Sequence, residues 1–173
     1  MSSSAVLLLS GGVDSAYMLL RCRPRIALFV DYGQPAAEPE RDAADALARR
    51  FGITLAAMTV RGVPLGDMQT ESDAFVVPGR NTYLWALACS LCDPGEDVVL
   101  GCAPYDNADY VDCRLEYLEK LDSAAAVVGL GGIVVSSANR EMRVAALRQS
   151  GLLDLTYSCY REAKCGECPS CLQ

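Results

Sequence analysis

Two groups of residues in this 173-residue chain have types and spacings suited to chemistry. Near the N-terminus, Ser10-Gly11-Gly12-Val13-Asp14-Ser15 follows the apolar run Ala5 to Leu9 and precedes the helix formers Ala16 to Leu20. A bounded apolar run reads as a buried parallel strand, so the order is strand, tight loop, helix. Gly11 and Gly12 let the backbone approach a ligand closely. The N–H groups of the next helix's first turn have no intrahelical acceptor and point at that ligand. Ser10 and Ser15 add hydroxyl donors, and Asp14 offers a carboxylate to a magnesium ion bridging phosphates. The chemistry expected here is a phosphate cradle. It is neither G-x-x-x-x-G-K-[ST] nor G-x-G-x-x-G.

The second group closes the sequence. Cys159, Cys165, Cys168 and Cys171 fall within thirteen residues, the last three spaced C-x2-C-x2-C. Such turns converge thiolates on one ion, and four make a closed, structural zinc site with no position for water. An iron–sulfur cluster takes similar ligands, and the spacing leaves it open. Lys164 offsets part of the thiolate charge. Cys22, Cys89, Cys92 and Cys102 read as ordinary small core or turn residues.

The composition bounds the rest. There is no histidine, which excludes a Ser-His-Asp or Cys-His nucleophile pair within the chain and histidine as ligand or proton shuttle. A hydrophobic share of 51% and a charged share of 21% suit one globular domain with a full core. The net charge of -7 argues against nucleic acid and anionic membranes as partners. Met1 to Ser4 has no basic leader, and no apolar stretch is long enough to span a bilayer, so a cytoplasmic location is expected.

The elements that must position these groups alternate strand and helix, which predicts a doubly wound, mostly parallel five-stranded α/β sheet. Strands are expected at Ala5–Leu9, Arg25–Val30, Ile53–Val60, Val98–Leu100 and Ile133–Val135. Asp31-Tyr32-Gly33-Gln34 lies just past the second strand, where open parallel sheets bind ligands, and is expected to hold the adenosine half of a nucleotide. Pro39 is expected to open a helix through Phe51. Arg61 to Phe75 reads as a polar connection with the makings of a flap. In Val76-Val77-Pro78-Gly79-Arg80-Asn81, Asn81 reads as the N-cap of a helix over Thr82–Leu91, leaving Arg80 at its entrance to meet a phosphate or carboxylate. The loop Gly101 to Arg114, rich in carboxylates and tyrosines, precedes a helix with Leu115, Leu118 and Leu121. A last helix is expected over Glu141–Gln149.

Ser-Gly-Gly-Val-Asp-Ser resembles the pyrophosphate loop of the N-type ATP pyrophosphatases, which split ATP between its alpha and beta phosphates and attach AMP to a substrate oxygen. Taken in order with Asp-Tyr-Gly-Gln, Val-Pro-Gly-Arg-Asn, Tyr-x-Asp-Cys-Arg and the cysteine tail, it resembles the 7-cyano-7-deazaguanine synthase family from end to end. The resemblance implies an adenine nucleotide alpha hydrolase-like fold, with an ATP pyrophosphatase domain over 1–155 and a zinc tail over 156–173 packed on it. It implies adenylation of the carboxylate of 7-carboxy-7-deazaguanine, capture by ammonia, and a second ATP to convert amide to nitrile. ATP and Mg2+ would be held by Leu9, Ser10, Gly11, Gly12, Val13, Asp14, Ser15, Asp31, Tyr32, Gly33, Gln34, Gly79, Arg80 and Asn81. Asp14, Ser15, Arg80 and Arg114 would serve the chemistry, and Tyr110, Asp112 and Arg114 the substrate. Cys159, Cys165, Cys168 and Cys171 would hold Zn2+. A homodimer or a partner protein is expected. The chain departs from the family pattern at Pro35-Ala36-Ala37, at Val111, and at the family's late lysine, which is either replaced by Arg140 or lost. Two alternatives therefore stay open: a ligase that stops at the amide or uses another amine, and a zinc-stabilised scaffold without turnover.

Overall fold

In the computed structural model, residues 4–63, 65, 77, 79–104, 110–168 and 171 are described. Most of the expected flap after Arg61 and residues 105–109 of the loop before Arg114 lie outside them. Five strands, β1 (Ala5–Leu8), β2 (Ile26–Asp31), β3 (Thr54–Thr59), β4 (Asp97–Val99) and β5 (Ile133–Val134), form a parallel sheet in the order β3-β2-β1-β4-β5. Helices α1 (Val13–Cys22), α2 (Ala37–Phe51), α3 (Arg80–Cys89), α4 (Leu115–Val127) and α5 (Arg140–Gln149) alternate with the strands.

The two-residue period of the strands sorts the core into two layers. Ala5, Leu7 and Leu9, with Ala27 and Phe29, pack against α1, α2 and α5 through Leu19, Leu47 and Leu147. Val6, with Leu28 and Val30, faces the other way, onto Ala88 of α3 and Leu118 of α4. Both faces of the sheet are thus covered, which is why β1 and β2 read as continuous apolar runs. From β1 the chain winds outward to β2 and β3, then crosses to β4 and β5 on the opposite side. That reversal opens a crevice at the carboxyl ends of β1 and β4.

Two helices begin two residues earlier than expected. Helix α2 begins at Ala37, two residues before Pro39, because the Ala37 N–H donates to the Gln34 carbonyl at 3.0 Å and the Glu40 N–H to the Ala36 carbonyl at 2.9 Å. Pro39 is tolerated there, since a first-turn residue has no intrahelical acceptor to lose. Helix α3 begins at Arg80, with Gly79 in the N-cap position at φ +66°, so Asn81 is the second helical residue and not the cap. The capping oxygen comes from elsewhere in the chain: the Asn81 N–H donates to Asp112 Oδ2 at 3.0 Å. A carboxylate at a helix N-terminus also complements the helix dipole.

Candidate active site

At the switch point the loop after β1 turns into α1 around a cavity of about 260 Å³. Leu9, Ser10, Gly12, Val13, Asp14 and Ser15 form one wall. Ser10 Oγ lies 3.2 Å from Ser15 Oγ, and Ser15 Oγ donates to the Gly12 carbonyl at 3.1 Å, so the hydroxyls are fixed relative to the helix start. Gly11 does not line the cavity. Its φ is +82°, and a Cβ there would sit 2.6 Å from the Glu40 carbonyl and 2.8 Å from Ala43 Cβ. The first glycine is required by close packing on α2; it is Gly12 that faces the cavity.

The loop is held from behind. Arg143 of α5, 1% exposed, places its Nε 2.8 Å from Asp14 Oδ1, and its other end donates to the Ala138 carbonyl. Asp14 keeps a quarter of its surface exposed and lines the cavity, so it is both anchored and available to a ligand. Gly101, just past β4, abuts α1 so closely that a Cβ would lie 2.9 Å from Ser15 N and Cα. The cysteine tail completes the frame: the Tyr157 N–H donates to the Gly11 carbonyl at 2.9 Å and the Val13 N–H donates to Ser158 Oγ at 3.3 Å.

Across the cavity stand Tyr32, Gln34, Glu40, Arg80, Asn81 and Tyr110, with Arg140 and Tyr160 at its edge. Gln34 is buried and acts as the brace of its turn, accepting from the Tyr32 N–H at 2.9 Å and donating to Glu40 Oε2 at 2.9 Å. Burial raises the Glu40 carboxyl to about 7, although the Gln34 amide and the Arg80 guanidinium pull it back. Burial also raises Tyr32, whose ring meets Tyr83 edge-on at 6.0 Å. The Tyr110 phenol is pushed up to about 12, again chiefly by burial.

Not every expected residue reaches this space. Asp31, Gly33 and Gly79 shape backbone beside the cavity without lining it; Asp31 Oδ1 accepts from the Gly33 N–H at 2.9 Å. Asp112 is engaged by Asn81, and Arg114 is the exposed N-cap residue of α4. Of the motif Tyr110 to Arg114, Tyr110 and Cys113 face the cavity. Glu40, Tyr157, Ser158 and Arg143 were not found from sequence. Their approach to the loop depends on contacts spanning tens to more than a hundred residues, and no local pattern carries it.

The four tail cysteines converge, with all four Sγ atoms within 4.8 Å of one another. Cys159 Sγ is 3.5 Å from Cys165 Sγ and 4.0 Å from Cys168 Sγ, and Cys165 Sγ is 4.0 Å from Cys171 Sγ. Tetrahedral zinc with Zn–S bonds of ~2.3 Å sets sulfurs roughly 3.8 Å apart, so the donor set fits the ion. The N–H groups of Arg161 and Cys165 approach Cys159 Sγ at 3.4 Å, and that of Cys168 approaches Cys165 Sγ at 3.3 Å, which suits anionic sulfur.

A parallel β3-β2-β1-β4-β5 sheet with a serine–glycine loop at its switch point and arginines facing it defines an α/β protein of the PP-loop type. A solved NMN synthetase from Francisella tularensis shares the fold, with a TM-score of 0.50 and 15% identity, covering 88% of this chain and 65% of that one. The family model described as "Queuosine biosynthesis protein QueC" matches residues 4–173, and the chain belongs to that family. The 7-cyano-7-deazaguanine synthase of Synechococcus sp. (strain RCC307) is 32% identical, with 99% of this chain and 92% of that protein covered. Those of Cupriavidus pinatubonensis and Thermoplasma acidophilum are each 29% identical, with 91% and 84% of their lengths covered and 99% and 97% of this chain. No described helix is long and apolar enough to cross a membrane.

Proposed function

We propose that this chain activates the carboxylate of 7-carboxy-7-deazaguanine with ATP and captures the acyl-adenylate with ammonia, a second ATP then carrying the amide to the nitrile. The observation behind this reading is the convergence of the Ser10–Ser15 loop with Arg80 and Arg140 on one cavity. A carboxylate is a poor electrophile until it bears a leaving group, and adenylation supplies one. The Ser10 and Ser15 hydroxyls, with the Asp14 and Ser15 N–H groups in the first turn of α1, receive the departing pyrophosphate, where donors already in place stabilise developing charge. Arg80 neutralises phosphate from the opposite wall and Arg140 from the edge of the cavity. Asp14 would hold magnesium, which neutralises phosphate charge when bound. Tyr32 and the Gln34-braced turn take the adenosine end. Tyr110 borders the deazapurine, with Asp112 and Arg114 behind it as positioning groups. No protein nucleophile is needed, so a chain without histidine suffices.

In this reading residues 1–155 are the activating domain and the zinc tail, 156–173, is structural. Tyr157 and Ser158 buttress the loop. The test is mass spectrometry of products from purified protein with 7-carboxy-7-deazaguanine, ATP, magnesium and ammonium. Nitrile with two AMP per product is the expected result. Amide with one AMP per product would support the single-activation ligase instead. Absence of AMP would overturn the activation chemistry itself.

A further inference from the structure

We propose that Cys102 and Cys113 form a peroxide-reactive dithiol in the wall of the cavity, closing to a disulfide. Cys102 lies just past β4, and Cys113 ends the 3-10 turn Val111–Cys113, eleven positions later. Both are buried and both line the cavity. The Asn81 side chain ties them together: its Nδ2 lies 3.5 Å from Cys113 Sγ and 3.8 Å from Cys102 Sγ, while also donating to the Asp112 carbonyl at 2.9 Å. An amide nitrogen has donors only, so it favours sulfur in its anionic form.

The charge around the pair makes the two thiols unequal. Cys102 donates to Cys113 and holds it below the ordinary thiol range, with the Arg80 guanidinium and the Asn81 amide adding to the effect against burial and the Asp112 carboxylate. Cys102, as the donor, is held above that range. One thiolate-favouring sulfur beside one thiol is the arrangement of a reactive cysteine and its resolving partner. Outside the tail, Cys22, Cys89 and Cys92 do not share it. All three are pushed up by burial, and the four tail sulfurs face one another around a metal site.

The step balances with hydrogen peroxide as oxidant. The Cys113 thiolate attacks a peroxide oxygen, an S–O bond forms, the O–O bond breaks and hydroxide leaves. The Cys102 sulfur then attacks the sulfenic sulfur, the S–S bond forms, and the oxygen departs as water with the thiol proton. Two thiols and one peroxide become one disulfide and two waters. The bond would pin the chain after β4 to the turn behind Tyr110 and remove both sulfur acceptors from Asn81.

The test treats the full-length, zinc-loaded protein with a slight excess of hydrogen peroxide. Remaining thiols are alkylated, and the protein is digested without reduction for peptide mapping. A Cys102–Cys113 linked peptide should form before zinc is released, and Cys113 should lose alkylation at least about tenfold faster than Cys89. Cys102→Ser should leave a dimedone-reactive sulfenic acid at Cys113 and no link. Loss of alkylation at Cys113 no faster than at Cys89, or a first disulfide within the tail, would overturn the proposal. The comparison of Cys113 with Cys89 is made in the unmodified protein, so it holds even if the serine variant does not fold. The readout is independent of nitrile synthesis.

Discussion

Gly101→Ala isolates how closely the sheet approaches the Ser10–Ser15 loop. Its φ lies outside the left-handed region, so alanine meets no backbone strain; only the new Cβ matters. That atom would sit 2.9 Å from Ser15 N and Cα and 3.0 Å from Ser15 Cβ, closer than any ordinary contact. Ser15 is 2% exposed, in a helix pinned at its next residue back by the Asp14–Arg143 pair, so it has no side chain to swing away. Relief must come from moving the first turn of α1. Overpacking of this kind costs about 1–3 kcal/mol. In a chain of this size each kcal/mol lowers Tm by ~2–4 °C, so a fall of roughly 2–12 °C is expected. A shift near 1 Å in a positioning element costs on the order of 10²-fold in rate. The assays are thermal unfolding and substrate-dependent ATP–pyrophosphate exchange. Gly95→Ala is the contrast: φ is +80° with nothing within 4 Å of the added carbon, in the turn before β4 at the far end of the sheet. It should cost ~1–2 kcal/mol of backbone strain and leave exchange intact. Unchanged exchange in Gly101→Ala, or equal loss in Gly95→Ala, would refute the link between this contact and the loop.

Three further outcomes follow from the same geometry. Arg143→Met leaves the Asp14 carboxylate without its buried partner; because Asp14 keeps some solvent, a loss of about 3 kcal/mol is expected, read by denaturant unfolding, with exchange falling further than Tm alone explains. In protein free of nucleotide and metal, the fold favours protonated Glu40, so its contribution is full below the ordinary carboxylate range and is lost as pH rises through about 7, by up to ~3 kcal/mol. Glu96, held down to about 2 chiefly by its hydrogen bonds from Arg25, acts in the opposite sense: its contribution is present above the ordinary range and is lost as pH falls toward 2. Glu40→Gln should abolish the neutral-side slope in an unfolding series and leave the acid side unchanged. Chelation should release one zinc per chain. At a hundredfold excess over Kd, bound metal contributes ~2.7 kcal/mol, so Tm should fall by roughly 5–11 °C, with ATP affinity reduced because Tyr157 and Ser158 lose their hold on the loop.

By itself the sequence determined the parts whose physics is local. Apolar runs marked all five strands to within a residue or two, most firmly β1 and β2, where a strand buried on both faces must be apolar throughout. The loop Ser10 to Ser15 and the four tail cysteines were legible because their chemistry is carried by neighbours in the chain. The structure alone decided what each glycine and carboxylate serves. Gly11 packs on α2, Gly101 packs on α1, and Asp112 caps a helix that begins thirty-two residues earlier. Arg143 looks like one more surface charge on α5, yet it is buried against Asp14, 129 positions away in the chain. Such pairings arise when the parallel sheet gathers the carboxyl ends of β1, β2 and β4 into one place. Which side chains meet there depends on strand order and crossover, and neither composition nor periodicity encodes them.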